Sequence, residues 1–435
     1  MHLLKQQRLI VGLTLALVAS ASTWFYMNRI LRAQQMADAA AHDRPRGNLS
    51  DLYPRWLGAR ELLLHGRNPY SSEITREIQQ GYYGRPIDPN RPYDPKDQQA
   101  FAYPVYVVFL LAPSVGLPFH TVQIGFLWLL IGLTAASVPF WLGVLRWRVS
   151  FVTGITFIVL MLGWLPAVQA IKLQQLTLLV AGFMAACCAC LAGGWLFCAG
   201  ALLALATIKP QLAWPLVLWL LLWAGSEWRL RRRFVFGFAL IMLLLLSGAQ
   251  LVMSSWCRMF VDAIRQYHNY TQGQSVLTSL FGLIGGRILG AGCVGACAIC
   301  LWRLRREPAA GETFGRSVGL VLALTVGIVP MSALYNQVLL APAILALVKS
   351  AVSLEPVLPS VRRARVVGLF LLIWPWMATM GLSLAAAWLT PELKERVWPM
   401  PLYPSYVLPV FVFGLALLNT WVSQARTLRD NTPAE

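Results

Sequence analysis

The chain has 435 residues, 57% of them apolar and only 12% charged, with a formal net charge of +18. Soluble globular proteins carry roughly twice that charged fraction, and apolar runs long enough to cross a bilayer recur here, so the composition excludes an ordinary soluble domain and predicts an all-α polytopic membrane protein. The charge does not point to nucleic acid: Arg146/Arg148, Arg229/Arg231/Arg232/Arg233, Arg303/Arg305/Arg306, Arg362/Arg363/Arg365 and Arg426/Arg429 lie in short connectors or tails, which is the positive-inside pattern of a membrane chain.

In chain order, the first predicted element is a transmembrane helix over residues 9–27. Lys5 and Arg8 place its start in the cytoplasm, and Trp24, Phe25 and Tyr26 end it like an interfacial anchor. Small residues at 19–22 suggest a signal peptide, but the apolar run is long enough to span. Residues 28–103 then form a large polar loop on the outer face. Within it, YPRWLGARELLLHG (53–66) has helical apolar spacing at Trp56, Leu57, Leu63 and Leu64, with Pro54 in the first turn and Gly66 as a stop. It predicts an amphipathic helix at headgroup depth. Asp51, beside the start of that helix, is either a cap that profits from the helix dipole or a general base towards a hydroxyl. Glu61 is expected on the solvated face, and Asp88, Asp94 and Asp97 as turn residues of a proline-broken loop.

Residues 104–117, interrupted by Pro104 and Pro113, are placed at the outer face, because Arg146 and Arg148 require a single crossing before them. Spans are then predicted near 121–145, 151–167, 172–191, 195–208, 210–224, 234–253, 276–302, 317–330, 334–349, 366–388 and 403–423, followed by a cytoplasmic tail, 424–435. With the first helix these make about twelve spans in a single membrane domain covering 1–435. Every basic cluster falls on one side. The opposite side gathers Asp51, Lys172, Gln175, Lys209, His268, Tyr335 and Asn336. A lysine between apolar segments is costly in lipid and is either functional or snorkelling to the headgroups. Seven of the eight cysteines lie within apolar segments and are read as small packing residues. No metal-ligand spacing, phosphate loop or hydrolase motif is present.

The order Asp51, Tyr53, LLLHGRNPY (62–70), FAYPVYVVFLLAPSVGLPF (101–119), LQQLT (173–177), TIKPQ (207–211) and GQS (273–275) resembles the GT-C membrane glycosyltransferases. Within them it is most similar to glycosyltransferase family 87, the polyprenol-phosphate-mannose-dependent mannosyltransferases. The chain departs from the family pattern at Val105 in place of the second proline of Y-P-P, and at Gln174 and Thr177 in place of the Gly and Asn of G-Q-x-N. The resemblance implies a GT-C-like helical fold whose first outer loop is catalytic. It implies transfer of a hexose, mannose by the family's habit, from a polyprenyl-phosphate donor to a lipid or glycan acceptor, with inversion. Asp51 would be the base, Lys209 and Lys172 would face the donor phosphate, and Gln175, Tyr335, Asn336 and His268 would contact substrate. It implies no cofactor and no nucleic-acid partner, leaves metal dependence open, and places the protein in the inner (plasma) membrane with its site facing the periplasm or exterior. The rival reading is a transporter or flippase of lipid-linked sugars.

Overall fold

The computed structural model describes residues 2–352 and 359–430, and every regular element among them is helical. Helix α1 (His2–Phe25) does not stop where the aromatic residues suggested. It passes through a wide turn at Tyr26–Leu31 into α2 (Arg32–Ala41), so one long rod runs from Gln6 to Ala41. The reason is that its aromatic residues pack instead of anchoring: Trp24 Nε1 donates to the Leu162 carbonyl at 3.1 Å, and the buried Tyr26 donates to the Trp398 carbonyl at 2.7 Å. The polar excursion therefore begins near residue 42.

Helix α3 (Tyr53–His65) has Pro54 in its first turn and Gly66 at φ +66° after its last. Helix α4 (Ser72–Tyr83) is capped by Ser71, whose hydroxyl accepts from the Ile74 amide at 3.2 Å. Together they form a cap on the membrane helices. Trp56 Nε1 and Arg60 Nη1 donate to the carbonyls of Ser114 and Val115, at 3.2 and 2.9 Å. Glu61 is not solvated as expected. It is buried, because Arg67 (2.7 Å) and His65 (3.1 Å) close over its carboxylate. The 104–117 segment contains only the five-residue α5 (Val107–Leu111) and a 3-10 turn; such a helix rises about 8 Å, far short of a bilayer.

The membrane body follows as α6 (Phe119–Val144), α7 (Phe151–Leu162), α8 (Leu165–Leu173), α9 (Leu176–Ala192), α10 (Leu196–Ala206), α11 (Pro210–Ser226) and α12 (Trp228–Val252). It continues through the amphipathic α13 (Trp256–Thr271) to α14 (Val276–Leu304), α15 (Glu312–Ile328), α16 (Ala341–Val352), α17 (Pro359–Ala385), α18 (Pro391–Val397) and α19 (Val407–Asp430). Among the described residues seven helical segments are long and apolar enough to cross a membrane, or eight if the pair α7–α8, bent by 59°, is counted as one span. The expectation of about twelve spans exceeds that count at α9, α10, α11 and α15, which have 17, 11, 17 and 17 residues. At 1.5 Å per residue α10 covers about half of a 30 Å hydrocarbon core. The expected tail at 424–435 extends past the described residues.

Helix α15 runs through the middle, buried along nearly its whole length, with α11, α14, α16 and α19 packed on it. The large apolar side chains on the rim, among them Leu243, Ile284, Ile288 and Leu369, are exposed, as lipid-facing residues should be. At the basic end Arg231 of α12, 5% exposed, pairs with Glu227 and stacks 3.9 Å over Trp223. It also donates to the carbonyls of Trp223, Arg305, Arg306 and Glu307 at 2.6–3.1 Å. A cation there satisfies carbonyls that the end of α14 leaves open.

Candidate active site

The site is built where the cap meets the α8–α9 turn. Asp51 precedes α3, yet it does not cap it: the helix has no side-chain cap. Its backbone amide donates instead to the Leu173 carbonyl at 2.8 Å, which brings the excursion down onto α8. Gln174 holds the other half of this joint. It stands in the left-handed region (φ +53°, ψ +48°), accepts from Ser50 Oγ at 2.6 Å and donates to the Gln123 carbonyl at 2.6 Å. A glycine would adopt that backbone without cost, but only the glutamine side chain can make these two ties.

The Asp51 carboxylate has two partners. Tyr82 of α4 donates to Oδ1 at 2.8 Å, and Gln175 Nε2 donates to Oδ2. Burial raises the carboxyl above its ordinary range, opposed by Arg55, by the Tyr82 hydrogen bond, and by Lys209 and Gln175. Burial and the Asp51 charge also push the Tyr82 phenol well up, so it remains a donor. Asp97, expected as a turn residue, binds the amide of Gln99 at 2.9 Å in that manner. Its carboxyl is nevertheless raised, by burial first, and Asp51 adds to the rise.

Lys209 lies between α10 and α11, where Pro210 starts the new helix, and is 5% exposed. Its ammonium donates to Gln175 Oε1 at 2.9 Å and to Thr177 Oγ1 at 2.8 Å. Thr177 in turn donates to Asn336 Oδ1 at 3.3 Å. The rings of Tyr335 and Tyr103 lie 5.3 and 5.8 Å from the Lys209 nitrogen. The result is a chain of contacts, Tyr82–Asp51–Gln175–Lys209–Thr177–Asn336, in which a single amide separates the carboxylate from the ammonium. Among the described residues no ion pair within 4.0 Å joins Asp51 to Lys209 directly.

Four of the residues singled out in the sequence, Gln175, Lys209, Tyr335 and Asn336, thus gather around Asp51. Tyr335 does so through its ring alone, and two others stay away from this cluster. Lys172 turns to the other side of α8 and donates to Asn28 of the first rod. His268 is exposed on α13 and lines a separate cavity. Arg55, Tyr82, Tyr103 and Thr177 were not foreseen as site residues. Arg55 Nη1 donates to the Asp51 carbonyl at 2.9 Å, and its guanidinium lies 4.6 Å over the Tyr103 ring. Arg55 Nε and the hydroxyl of Tyr270 are buried without a protein partner. Such orphaned donors beside a buried carboxylate are open to a polar ligand.

Fold and site define a multi-pass membrane protein with an acid, an amide and an amine linked in series at one end of its helices. Residues 101–330, slightly more than half of the chain, match the sequence profile of glycosyltransferase family 87, and the chain belongs to that family. It is therefore a membrane glycosyltransferase, acting on a sugar donor and an acceptor, which sets aside the transporter reading. No curated protein and no solved structure matches it. Gln175, Thr177, Lys209 and Tyr103 lie within the matched segment, Asp51 and Tyr82 precede it, and Tyr335 and Asn336 follow it.

Proposed function

We propose that the enzyme transfers a hexose, mannose in the first instance, from a polyprenyl-phosphate donor to a hydroxyl of a lipid or glycan acceptor, with inversion. Asp51 Oδ takes the proton of the acceptor hydroxyl, and the oxygen attacks the anomeric carbon. The bond from that carbon to the phosphate oxygen breaks, and polyprenyl phosphate leaves with the electron pair. Lys209 balances the charge that grows on the phosphate, an electrostatic role that strengthens as the bond lengthens. Gln175, Tyr335 and Asn336 line the sugar's path. Lys172 and His268 remain outside this core: Lys172 is taken as a second cation toward the donor headgroup, and His268, in the separate cavity, is given no part in the transfer. In this reading the basic clusters face the cytoplasm of the inner membrane and the site faces the periplasm or exterior, which the positive-inside pattern supports.

One observation carries the proposal. Asp51 and Lys209 are held by the same amide but do not neutralise each other. A base and a leaving-group partner must act on opposite sides of the reacting carbon, so each must keep its charge available. The test is transfer in vitro from a panel of polyprenyl-phosphate sugars. Asp51→Asn should lower transfer about a thousandfold and leave the protein folded; transfer at the wild-type rate by that variant removes the base assignment. Lys209→Ala should impair donor use far more than acceptor use, and an equal loss of both would make it a structural lysine.

A further inference from the structure

Beyond the reaction, the geometry points to a binding site for an anionic bilayer phospholipid at Arg287, in a cleft between α13, α14 and the end of α15. The inference rests on how α14 begins. Gly282 has φ +71° and ψ +171°, a backbone that glycine alone adopts readily, and there the first turn of α14 folds back along the rest of the helix. A Cβ at Gly286 would lie 2.5 Å from Thr278 Cα and 2.6 Å from the Leu277 oxygen, so the returning backbone lies directly on that glycine. The span proper therefore starts near Leu283. Arg287 is then about 6 Å along the axis from its start, at the end of the span away from Arg303, Arg305 and Arg306. That is headgroup depth, where a lipid phosphate resides.

The cleft has a volume of about 670 Å³. Its rim carries His268, Asn269, Gln272, Gln274, Ser275 and Thr278, and its inner wall Leu283, Val294 and Ile328, with Arg287 between the two. Arg287 is exposed and has no ion pair or side-chain hydrogen bond among the described residues. Beside it Ile284 and Ile288 are 74% and 70% exposed, so the cleft opens sideways onto lipid. An arginine left unpaired at the acyl boundary is costly, and it is stabilised by pairing with an anion. The amides and hydroxyls of the rim suit glycerol and phosphate oxygens, and the apolar wall suits an acyl chain.

The occupant is a lipid of the surrounding bilayer and not the sugar donor. Among the described residues no lining residue is hydrogen-bonded or ion-paired to Asp51, Gln175 or Lys209, and the cations that act on Asp51 are Arg55 and Lys209. The cleft still reaches the site's border, because the Ser332 amide donates to the Gln274 carbonyl at 3.0 Å, three residues before Tyr335.

Native mass spectrometry of the full chain in detergent, titrated with phosphatidylglycerol, phosphatidylcholine or polyprenyl phosphate, tests the proposal. Phosphatidylglycerol should bind more tightly than phosphatidylcholine, and Arg287→Gln should weaken it about tenfold, the loss expected for one charge-assisted hydrogen-bonded pair. Arg287→Lys should keep most of the affinity, and Arg265→Gln, which removes an exposed arginine of α13, should bind like the wild type. Gly290→Leu, which fills the apolar end without touching the charge, should also lower binding and guards against a folding defect in the first variant. Equal binding of both phospholipids, or unchanged phosphatidylglycerol binding by Arg287→Gln and Gly290→Leu, overturns the site. Arg287-dependent binding of polyprenyl phosphate without phosphatidylglycerol assigns the cleft to the donor and overturns it equally.

Discussion

At the level of single residues, Asp51 as the proposed base sets the expected pH behaviour. Its carboxyl is raised by burial, and a general base must be ionised, so kcat/KM should fall as pH drops through that raised value. The acid limb should therefore lie above about pH 4, the ordinary aspartate range. Tyr82→Phe removes a hydrogen bond that favours the charged form, and so should move the limb to higher pH. A limb that stays put in that variant would mean another group sets it. The same shift bears on stability. Between the unfolded and folded values the native state keeps a proton that the unfolded state has lost, so this group's contribution falls as pH rises across that interval. Asp51→Asn should accordingly melt no lower than the wild type at neutral pH, while its transfer rate drops about a thousandfold. The site was legible in part. Lys209 and Gln175 stood out because polar side chains amid apolar sequence are conspicuous. Tyr82 and Arg55 did not, because they lie in a polar excursion where such residues give no contrast. Lys172 and Gln175 face different partners although three positions apart, because Gln174 after α8 is left-handed and turns the chain between them.

At the level of elements, the joint between the cap and the α8–α9 turn depends on Gln174. Gln174→Ala keeps the left-handed backbone and loses both buried ties, whereas Gln174→Gly loses the ties but relieves the backbone. The glycine variant should therefore be the less destabilised of the two by about 1 kcal/mol in thermal unfolding. An equal loss in the two variants would show that the ties, and not the left-handed backbone, govern the turn. At the opposite end Arg231→Met leaves four carbonyls without their donor. It should cost about 3 kcal/mol, read as a lowered Tm in detergent. Helix positions were readable from apolar runs and prolines, as with Pro54 and Gly66 around α3. The end of the first helix was not, because an aromatic cluster can either anchor at an interface or pack in a core. The sequence around Tyr26 does not distinguish the two, whereas its buried contact with Trp398 does.

For the whole molecule, the charge pattern and the fold make a joint statement about sidedness. Cys257 opens α13 at the Asp51 end, where the neighbouring Met259 sulfur accepts from Asn68 Nδ2 at 3.3 Å. Cys198 opens α10 near the turn whose Ala192 carbonyl binds Arg146. Both cysteines are exposed. In sealed cells a membrane-impermeant maleimide should label Cys257 and spare Cys198, as mass spectrometry of the purified protein would show. Labelling of Cys198 alone would invert the topology. The number of spans was poorly legible, because a run of apolar residues does not reveal whether α9 and α10 each cross or only reach part way.

The docking of Asp51 onto Gln175 has a consequence in time. The two residues are 124 positions apart. At a synthesis rate of 5–20 residues per second, Asp51 is made about 6–25 s before the amide it will bind. Until then its carboxylate lacks the amide that holds it in the folded protein. The reactive centre is assembled only after α8 and α9 have entered the membrane, so the enzyme becomes competent late in its own biogenesis.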